Sequence, residues 1–296
     1  MTGRDPDLSV VVPFVNQPAD LADCLAALDA ARSELELEVL VVDRRGTAGA
    51  VVGAGAPWVR VLPASGADSI PEMRFRAFRE ARGAIVAVIE DHVIVPPTWA
   101  RAMIDAIEEG RDVVGGGLYN LATSTLADRA AFLGEYAPFL PPADGVRPPG
   151  NNVGYRRAVL ARYLEVAAEG GWENRLHGAL ERDGITPVCL AELAAGHKLH
   201  LSLWAYTSQR YLFSRSWAGI RHRGAPLAQR IAAGLASMAL PPVLLWRMVS
   251  TVWRKSGHRR ELPRSLPLLA WFATVGAVGE VAGCWFGPGD ATRRVQ

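Results

Sequence analysis

Cysteine is scarce in this chain of 296 residues, which has only Cys24, Cys189 and Cys284. Their number is odd and their spacings are long, so they form neither a disulfide framework nor the short ligand spacings of a zinc site. This usage fits a reducing compartment and predicts that each thiol is buried. The first residues, Met1 to Asp7, are polar and lack the apolar core of a secretory signal. We therefore expect the N-terminal domain to start in the cytoplasm.

Glycine is missing from the positions where several nucleotide-binding motifs need it. The first apolar run, Leu8 to Pro13, leads into Phe14 to Gln17, whereas a dinucleotide fold has Gly-x-Gly-x-x-Gly at that point. The chain also has no Walker A lysine motif and no Gly-x-Ser-x-Gly elbow. A nucleotidyltransferase usually carries a glycine-rich basic loop after its first strand, and this chain does not. These classes are therefore disfavoured.

Acidic residues are scarce in the last third of the chain. Residues 205–296 contain 13 Lys and Arg against 3 Asp and Glu, whereas residues 1–204 contain 19 against 27. A basic tail on an acidic body predicts an anionic partner for the tail. The tail is also strongly apolar, which favours an anionic membrane surface and argues against nucleic acid as the partner.

The chain has no uncharged run of the ~20 residues that a bilayer-spanning helix needs. The longest apolar runs of the tail, Ile231 to Trp246 and Ser265 to Gly279, have 16 and 15 residues. A spanning hairpin would also carry the basic connector, Arg254 to Arg264, away from the cytoplasm, against the positive-inside tendency. Helices lying in the interface satisfy both constraints. We predict a peripheral or monotopic protein on the cytoplasmic face of the cell membrane. The alternative is a helical pair that packs on the catalytic domain or on a second subunit.

The rest of the chain alternates apolar runs with helical patterns. Strands are predicted at Leu8 to Pro13, Glu38 to Asp43 and Ala84 to Ile89, and helices at Asp20 to Arg32 and Pro71 to Arg82. This alternation is typical of βαβ units and predicts an α/β domain with a mostly parallel sheet and helices on both faces.

Ligands of such sheets bind beyond the carboxyl ends of the strands, and three of those ends carry reactive or polar groups. One end begins at Pro13. Asp43 ends another and can accept hydrogen bonds from a base or ribose; the alternative role is a loop cap. The third end is Glu90-Asp91-His92, whose oxygen and imidazole ligands suit Mg²⁺ or Mn²⁺ bound against a diphosphate. The alternative there is a solvated acidic turn.

Two later segments supply further candidates. Glu173 lies just before a predicted helix and is a candidate general base for an acceptor hydroxyl; the alternative is a first-turn acid that favours the helix dipole. His177 is one turn further along and is a candidate for the same face. Asn151 and Asn152 are candidates for an acceptor pocket, against a simple turn.

Five segments occur in a fixed order along roughly residues 8 to 220. They are Leu8 to Leu28, Val39 to Asp43, Ala81 to Asp91, Gly150 to Arg157 and Trp172-Glu173. As an ordered set they resemble the family 2 glycosyltransferases of the GT-A fold. The resemblance implies that Asp43 contacts the nucleotide base, that Glu90-Asp91-His92 replaces an Asp-x-Asp metal motif, and that Glu173 supplies the base of an inverting displacement.

The chain also departs from that family. The metal motif reads Glu-Asp-His, which makes Asp91 the expected main ligand, and Asn174 replaces the second acid of the family's Glu-Asp pair. The Gln-x-x-Arg-Trp motif of processive members is absent, which favours single addition of a sugar.

The sequence therefore predicts a GT-A transferase domain over residues 1–225 and a basic, apolar, helical, membrane-associated segment over residues 226–296. The expected activity is a hexosyltransferase that uses a nucleotide-diphosphate sugar, Mn²⁺ or Mg²⁺, and a sugar or lipid-linked acceptor. The alternative is a catalytically inactive GT-A-like binding protein docked at a membrane, which the altered metal motif and Asn174 favour.

Overall fold

A computed structural model describes residues 5–33, 35–53, 55–168 and 172–295 of the chain. Gly170 and Gly171, which the sequence pairs with Trp172, lie outside these residues. The strands are β1 Leu8–Phe14, β2 Leu37–Asp43, β3 Val59–Pro63, β4 Ile85–Ile89, β5 Val93–Ile94, β6 Val113–Gly115, β7 Leu118–Asn120, β8 Asn152–Arg156, β9 Val188–Cys189 and β10 Ala195–His197.

The α-helices alternate with these strands in the first part of the chain and follow one another in the last part. They are α1 Pro18–Arg32, α2 Ala48–Val52, α3 Ile70–Glu80, α4 Trp99–Glu108, α5 Leu126–Tyr136, α6 Arg157–Leu160, α7 Leu164–Ala168, α8 Glu173–Arg182, α9 Leu203–Arg221, α10 Leu227–Ser237, α11 Leu240–Arg254, α12 Leu262–Phe286 and α13 Ala291–Arg294.

The central sheet of the described residues has the strand order β3-β2-β1-β4-β8-β6-β9. Strands β1, β2, β3 and β4 pair in parallel, and β8 runs antiparallel between β4 and β6. Every residue of β1, β2 and β4 is buried, as expected of parallel strands covered on both faces. The prediction of an α/β fold with a mostly parallel sheet is confirmed.

Local sequence signals explain where the helices that flank the site begin. Helix α3 starts at a capping box in which Ser69 accepts from the Glu72 amide and the Glu72 side chain reaches back to Ser69, with Pro71 in the first turn. The buried face of helix α1 includes Leu21, Cys24 and Leu28. The three thiols are all free and buried, as predicted.

The chain forms two compact units. One comprises residues 1–119 and 141–198, and the other comprises residues 120–140 and 199–296. This division differs from the predicted boundary between residues 225 and 226. Helix α9 packs most extensively along α12, and α5 also packs on α12, so both helices belong to the second unit.

One described helix, α12, is long and apolar enough to cross a membrane. Helices α10 and α11 are bent by 54° relative to each other, and they would form a second such segment if the two are counted as one span. Helix α12 has 25 residues, whereas its uncharged run is shorter. The helix continues past Glu280, whose carboxylate accepts from Arg221 and Ser237 within the unit.

Candidate active site

The candidate site lies at the carboxyl edge of the parallel strands. Strand register aligns the end of β1 with the end of β2, where Phe14 pairs with Asp43, and aligns the end of β4 with the start of β8, where Ile89 pairs with Asn152. Glu90, Asp91 and His92 follow β4 directly. The topology therefore brings together the three strand ends that carry the predicted site residues.

Asp91 is completely buried and its carboxylate is engaged by the protein itself. Its Oδ2 accepts from the backbone N–H groups of Val15 and Asn16, both at 2.8 Å, and its Oδ1 accepts from Asn16 Nδ2 at 2.8 Å and lies 3.0 Å from His92 Nδ1. The carboxylate thus ties the end of β4 to the loop after β1. The prediction of Asp91 as the main metal ligand does not match this geometry, because both oxygens face hydrogen-bond partners.

The group that can hold a metal ion consists of Glu90, His92 and His197, whose ligand atoms all lie within 4.8 Å of one another. His92 Nε2 lies 3.0 Å from His197 Nε2 and 3.4 Å from Glu90 Oε2. His197 reaches this position because β10 pairs with β5, which places His197 opposite Val93. Two of the three predicted ligands are therefore joined by a residue about a hundred positions further along the chain.

The three titratable side chains of this cluster differ in their protonation. Burial opposes protonation of His92, but its hydrogen bonds to Asp91 and Glu90 outweigh burial and raise its pKa to about 10. Burial likewise opposes ionisation of Glu90, but the hydrogen bond to His92 and the charges of His92 and Arg74 together outweigh burial and lower the pKa of Glu90 to about 2. Burial and the charge of His92 lower the pKa of His197 well below its usual value. His92 is therefore protonated and His197 neutral, and the two rings face each other beside an ionised acid.

These residues fit a divalent cation. Two imidazole nitrogens that face each other at 3.0 Å need a proton or a cation between them. Ligand nitrogens each bound about 2.1 Å from one ion lie at a comparable separation from each other. A set of two imidazoles and one carboxylate suits a transition metal such as Mn²⁺ better than Mg²⁺, which prefers oxygen. Bound metal would take the place that the proton holds.

Asp43 is also largely engaged by its own loop. Its Oδ1 accepts from the N–H groups of Arg45 and Gly46, and its Oδ2 accepts from the N–H group of Ala48. This is the loop cap that the sequence allows as an alternative. Oδ2 keeps room for a further donor, so contact with a nucleotide base stays a prediction. Pro13 is buried next to Val42 and lines the same edge.

The two asparagines that follow Gly150 have different surroundings. Asn152 is completely buried, where its Oδ1 accepts from Trp99 Nε1 and its Nδ2 donates to Leu193 O. It braces β8 and has no surface to offer an acceptor, so its predicted role does not match the structure. Asn151 instead donates from Nδ2 to Glu90 Oε2 at 3.0 Å. It thus borders the metal cluster, the group of Glu90, His92 and His197 that can hold an ion.

Glu173 is the first residue of α8, and its side chain is 23% exposed. Its Oε2 lies 3.4 Å from Nη1 of Arg74, a buried residue of α3, and Nη2 of the same guanidinium lies 3.2 Å from Glu90 Oε1. Gly150 packs against the carboxylate so closely that a Cβ atom there would overlap it. The predicted base is thus accessible and is linked to the metal cluster through Arg74.

His177 points away from the site. It is completely buried, and its Nε2 lies 2.8 Å from the Tyr155 hydroxyl. Burial, followed by the charges of Arg147 and Arg74, lowers the pKa of His177 to about 3, so the ring is neutral. The prediction that His177 binds the acceptor does not match this position, because the helical spacing that puts it one turn after Glu173 turns it onto β8.

Sequence reasoning misses His197, Arg74 and Asn16. His197 carries no local signal, since it follows a short, weakly patterned stretch. Arg74 lies in a helix that also contains Arg76 and Arg79, and only the buried face identifies it. Asn16 lies in the loop after the first strand, a position that the strand-end rule does point to.

A mostly parallel α/β sheet, a cluster after its fourth strand that can hold a cation and a carboxylate at a neighbouring helix start are the arrangement of the GT-A fold. Comparison with known proteins agrees. The family model described as "Glycosyl transferase family 2" matches residues 9–163. The chain therefore belongs to glycosyl transferase family 2 and is a glycosyltransferase, which favours the enzyme over the inactive binding protein.

A curated relative is the dolichol-phosphate mannosyltransferase of Pyrococcus furiosus, 26% identical over 117 residues. The match covers 38% of this chain and 33% of that protein, so the chain spans about a third of the length of the curated relative it matches. Among solved structures, the mannosyltransferase from Pyrobaculum calidifontis, in complex with GDP-Man and Mn²⁺, shares the fold at a TM-score of 0.53 and 17% identity, over 94% of this chain and 88% of that one. The structure of a mycobacterial protein matches at a TM-score of 0.50 and 16% sequence identity, over 74% of each chain.

Proposed function

We propose that this protein is an inverting, metal-dependent glycosyltransferase that moves a sugar from a nucleotide-diphosphate donor to a lipid-linked acceptor at the cytoplasmic face of the membrane. The observation that carries the proposal is the placement of the Glu90, His92 and His197 cluster beside the Glu173 carboxylate, with one guanidinium between them. GDP-mannose is the first donor to test, because the relative is named a mannosyltransferase and the structural neighbour holds GDP-Man.

In the proposed reaction, Glu173 accepts the proton of an acceptor hydroxyl while the acceptor oxygen forms a bond to the anomeric carbon. The bond from that carbon to the diphosphate oxygen breaks, and its electron pair leaves with the nucleotide diphosphate. Attack opposite the leaving group inverts the anomeric configuration. A divalent cation bound to the cluster would neutralise charge on the leaving diphosphate. Asp43 and Pro13 are proposed to border the nucleotide, and Asn151 to lie between donor and acceptor.

The membrane part of the proposal is supported by the inverted polarity of α10. Leu227, Ile231, Leu235 and Met238 form one stripe along this helix, and all are exposed, Leu227 by 66% and Met238 by 60%. The face turned into the unit carries Gly234 and Ser237. A helix surrounded by water shows the opposite pattern, whereas a helix in contact with acyl chains shows this one.

Helix α12 is apolar on both faces. Its inward face carries large apolar side chains together with Ser265 and several glycines, and its outward face carries Leu266, Trp271 and Val278. Exposed Trp246 and Trp253 on α11 suit the depth of lipid headgroups. A helical pair that packs on another protein surface would not need so many large exposed side chains on three successive helices. The basic turn after α11 supports contact with the cytoplasmic leaflet, which is anionic.

Calorimetric titration of the full chain in detergent with GDP and with UDP, each with and without Mn²⁺, tests the donor and the metal site. We expect one nucleotide to bind more tightly with Mn²⁺, and His197→Gln to weaken that binding by about 10–100-fold or more. His200→Gln is the matched control, since His200 is exposed and lies outside the cluster. Equal binding with and without Mn²⁺ would remove the metal from the proposal.

The proposed base is tested by transfer of labelled mannose from GDP-mannose into a membrane-lipid extract. Glu173→Gln should lower kcat by about 10²–10⁴-fold while nucleotide binding stays intact. Glu181→Gln on the same helix is the control, because Glu181 is exposed and pairs with Arg147. Full transfer activity in Glu173→Gln would sink the proposed mechanism.

A further inference from the structure

Arg74 is an arginine buried between two acids that belong to different parts of the candidate site. The residue is 7% exposed. Its Nη2 lies 3.2 Å from Glu90 Oε1, and its Nη1 lies 3.4 Å from Glu173 Oε2. Its Nε is buried without a hydrogen-bond partner among the described residues. The side chain is therefore fixed by these two carboxylates and by packing.

The surroundings of Arg74 favour an arginine that is paired with two acids. A small cavity of about 30 Å³ beside it is lined by Glu173 and by apolar side chains that include Phe78, Trp172 and Leu176. A charge in such surroundings is costly to bury alone and needs paired acids. The planar guanidinium can donate to two carboxylates at once in a fixed fork, which the single ammonium of a lysine does less well.

The Glu173 carboxylate is confined from two directions. Gly150 packs against its Cγ and Cδ, where a side chain would overlap them, and Arg74 holds one oxygen. Gly150 directly precedes Asn151, which itself donates to Glu90. The position of Glu173 is thus defined relative to the metal cluster and not only by its place at the start of α8.

We propose that Arg74 is a positioning residue that holds the Glu173 carboxylate at a fixed place relative to Glu90, so that one guanidinium couples the base to the metal cluster. The inference rests on the proposed roles of Glu173 and Glu90. Arg74 acts through Glu173: its loss leaves the base present but free to leave the orientation that proton transfer requires. Misplacement of a reacting group by about 1 Å lowers a rate by about 10²-fold.

A double-mutant cycle tests this coupling, with transfer from GDP-mannose into the lipid extract as the assay. We expect Arg74→Met to lower kcat by about 10²-fold while the KM for GDP-mannose changes by no more than about threefold. In the Glu173→Gln background the same substitution should lower kcat by no more than about threefold, because the base it positions is already absent. Arg79→Met, an exposed arginine of the same helix, should match the wild type.

Thermal unfolding and Mn²⁺-dependent GDP binding show whether each variant is folded. If Arg74→Met does not fold, the cycle is run with Arg74→Lys, which keeps the charge and should retain part of the activity. Multiplicative losses in the double variant would overturn the proposal, since Arg74 would then act on another group such as the donor diphosphate. Full activity of Glu173→Gln alone would show that Glu173 is not the base. That result would contradict the proposed function itself and so remove the role proposed for Arg74.

Discussion

At the scale of single residues, the adjacent acids Glu90 and Asp91 have different partners because the backbone turns them in different directions. Asp91 faces the loop after β1 and accepts three hydrogen bonds from Val15 and Asn16. Glu90 faces Asn151, Arg74 and the two imidazoles. Sequence alone does not separate a carboxylate that ties two loops together from one that belongs to a group able to hold a cation.

The buried His177 imidazole should make stability depend on pH in the acidic range. Its pKa is lowered from 6.5 to about 3 by burial and nearby arginines, so the unfolded chain takes up a proton below pH 6.5 that the folded chain takes up only near pH 3. The stability linked to this group is present above pH 6.5 and is lost as the pH falls towards 3. Between these limits the loss is about 1.4 kcal/mol per pH unit.

Denaturant unfolding of the wild type and of His177→Gln, from pH 7 to pH 4 in detergent, measures this effect. Glutamine can still bond to the Tyr155 hydroxyl but does not titrate, so the variant should lose stability less steeply below pH 6.5. His200→Gln, which changes an exposed ring, should keep the wild-type slope. Parallel curves for the wild type and His177→Gln would mean that the ring is protonated normally in the folded protein.

The strand-end rule predicts Glu90 and His92 of the metal cluster and places Asp43 at the correct edge, because those residues directly follow buried strands. The rule does not identify His197, since strand β10 has only three residues and pairs with β5, which is far away in the sequence. The rule does not identify Arg74 either, because the sequence of a helix with several arginines does not show which of them faces inward.

At the scale of elements, close packing of α9 and α12 depends on glycine. A Cβ atom at Gly279 would lie 2.5 Å from Tyr211 O and 3.0 Å from Ser214 Cβ. Backbone cannot yield as a flexible side chain can, so the two helices approach closely only because this position is glycine. Similar constraints hold at Gly283, which faces Ala218. Small-residue faces of this kind are common where helices pack within a membrane.

Gly279→Ala should therefore destabilise the second unit by about 1–3 kcal/mol, although alanine favours helix by up to about 1 kcal/mol over glycine. Gly134→Ala in α5 is the matched control, because its Cβ would meet only ordinary contacts at 3.5 Å and beyond, and it should be neutral or stabilising. Thermal unfolding in detergent gives both values. Equal stability of the two variants would show that α9 and α12 are further apart than described.

Helix and strand positions of the first unit follow from hydrophobic patterning, as the burial of β1, β2 and β4 shows. The length of α12 does not follow from it. Counted along the sequence, the uncharged run of α12 ends at Glu280. In the structure, Glu280 forms an ion pair with Arg221 on α9. Apolar length is therefore underestimated wherever a charge is neutralised by a residue that the sequence does not place nearby.

At the scale of the whole molecule, charge and polarity separate into two regions. Residues 205–296 hold 13 of the 32 basic residues and 3 of the 30 acidic ones. Glu261, one of those three acids, is paired with Arg129, which leaves the turn between α11 and α12 strongly positive. The same part of the chain carries large exposed apolar side chains on α10, α11 and α12. Both properties suit an anionic lipid surface, and the exposed apolar side chains suit water poorly.

Vesicle flotation of the full chain should therefore depend on charge as well as on apolar contact. Binding to phosphatidylcholine vesicles should be measurable, should strengthen when anionic phosphatidylglycerol is added, and should weaken again at high salt. Replacing three exposed arginines of the turn with glutamine (Arg254, Arg260 and Arg264) should weaken binding to the anionic vesicles by about 1 kcal/mol for each arginine that lies near the surface. Binding to neutral vesicles should change little.

The matched control removes three exposed arginines of the first unit, Arg79, Arg101 and Arg182, and therefore lowers net charge by the same amount. If attraction to lipid were only a matter of net charge, the two triple variants would lose affinity equally, and the basic turn would have no special place in docking. If the turn lies at the headgroups, the loss is confined to its own variant. In that result the apolar stripes of α10 and α12 supply the binding that survives on neutral vesicles, and the turn supplies the preference for anionic lipid.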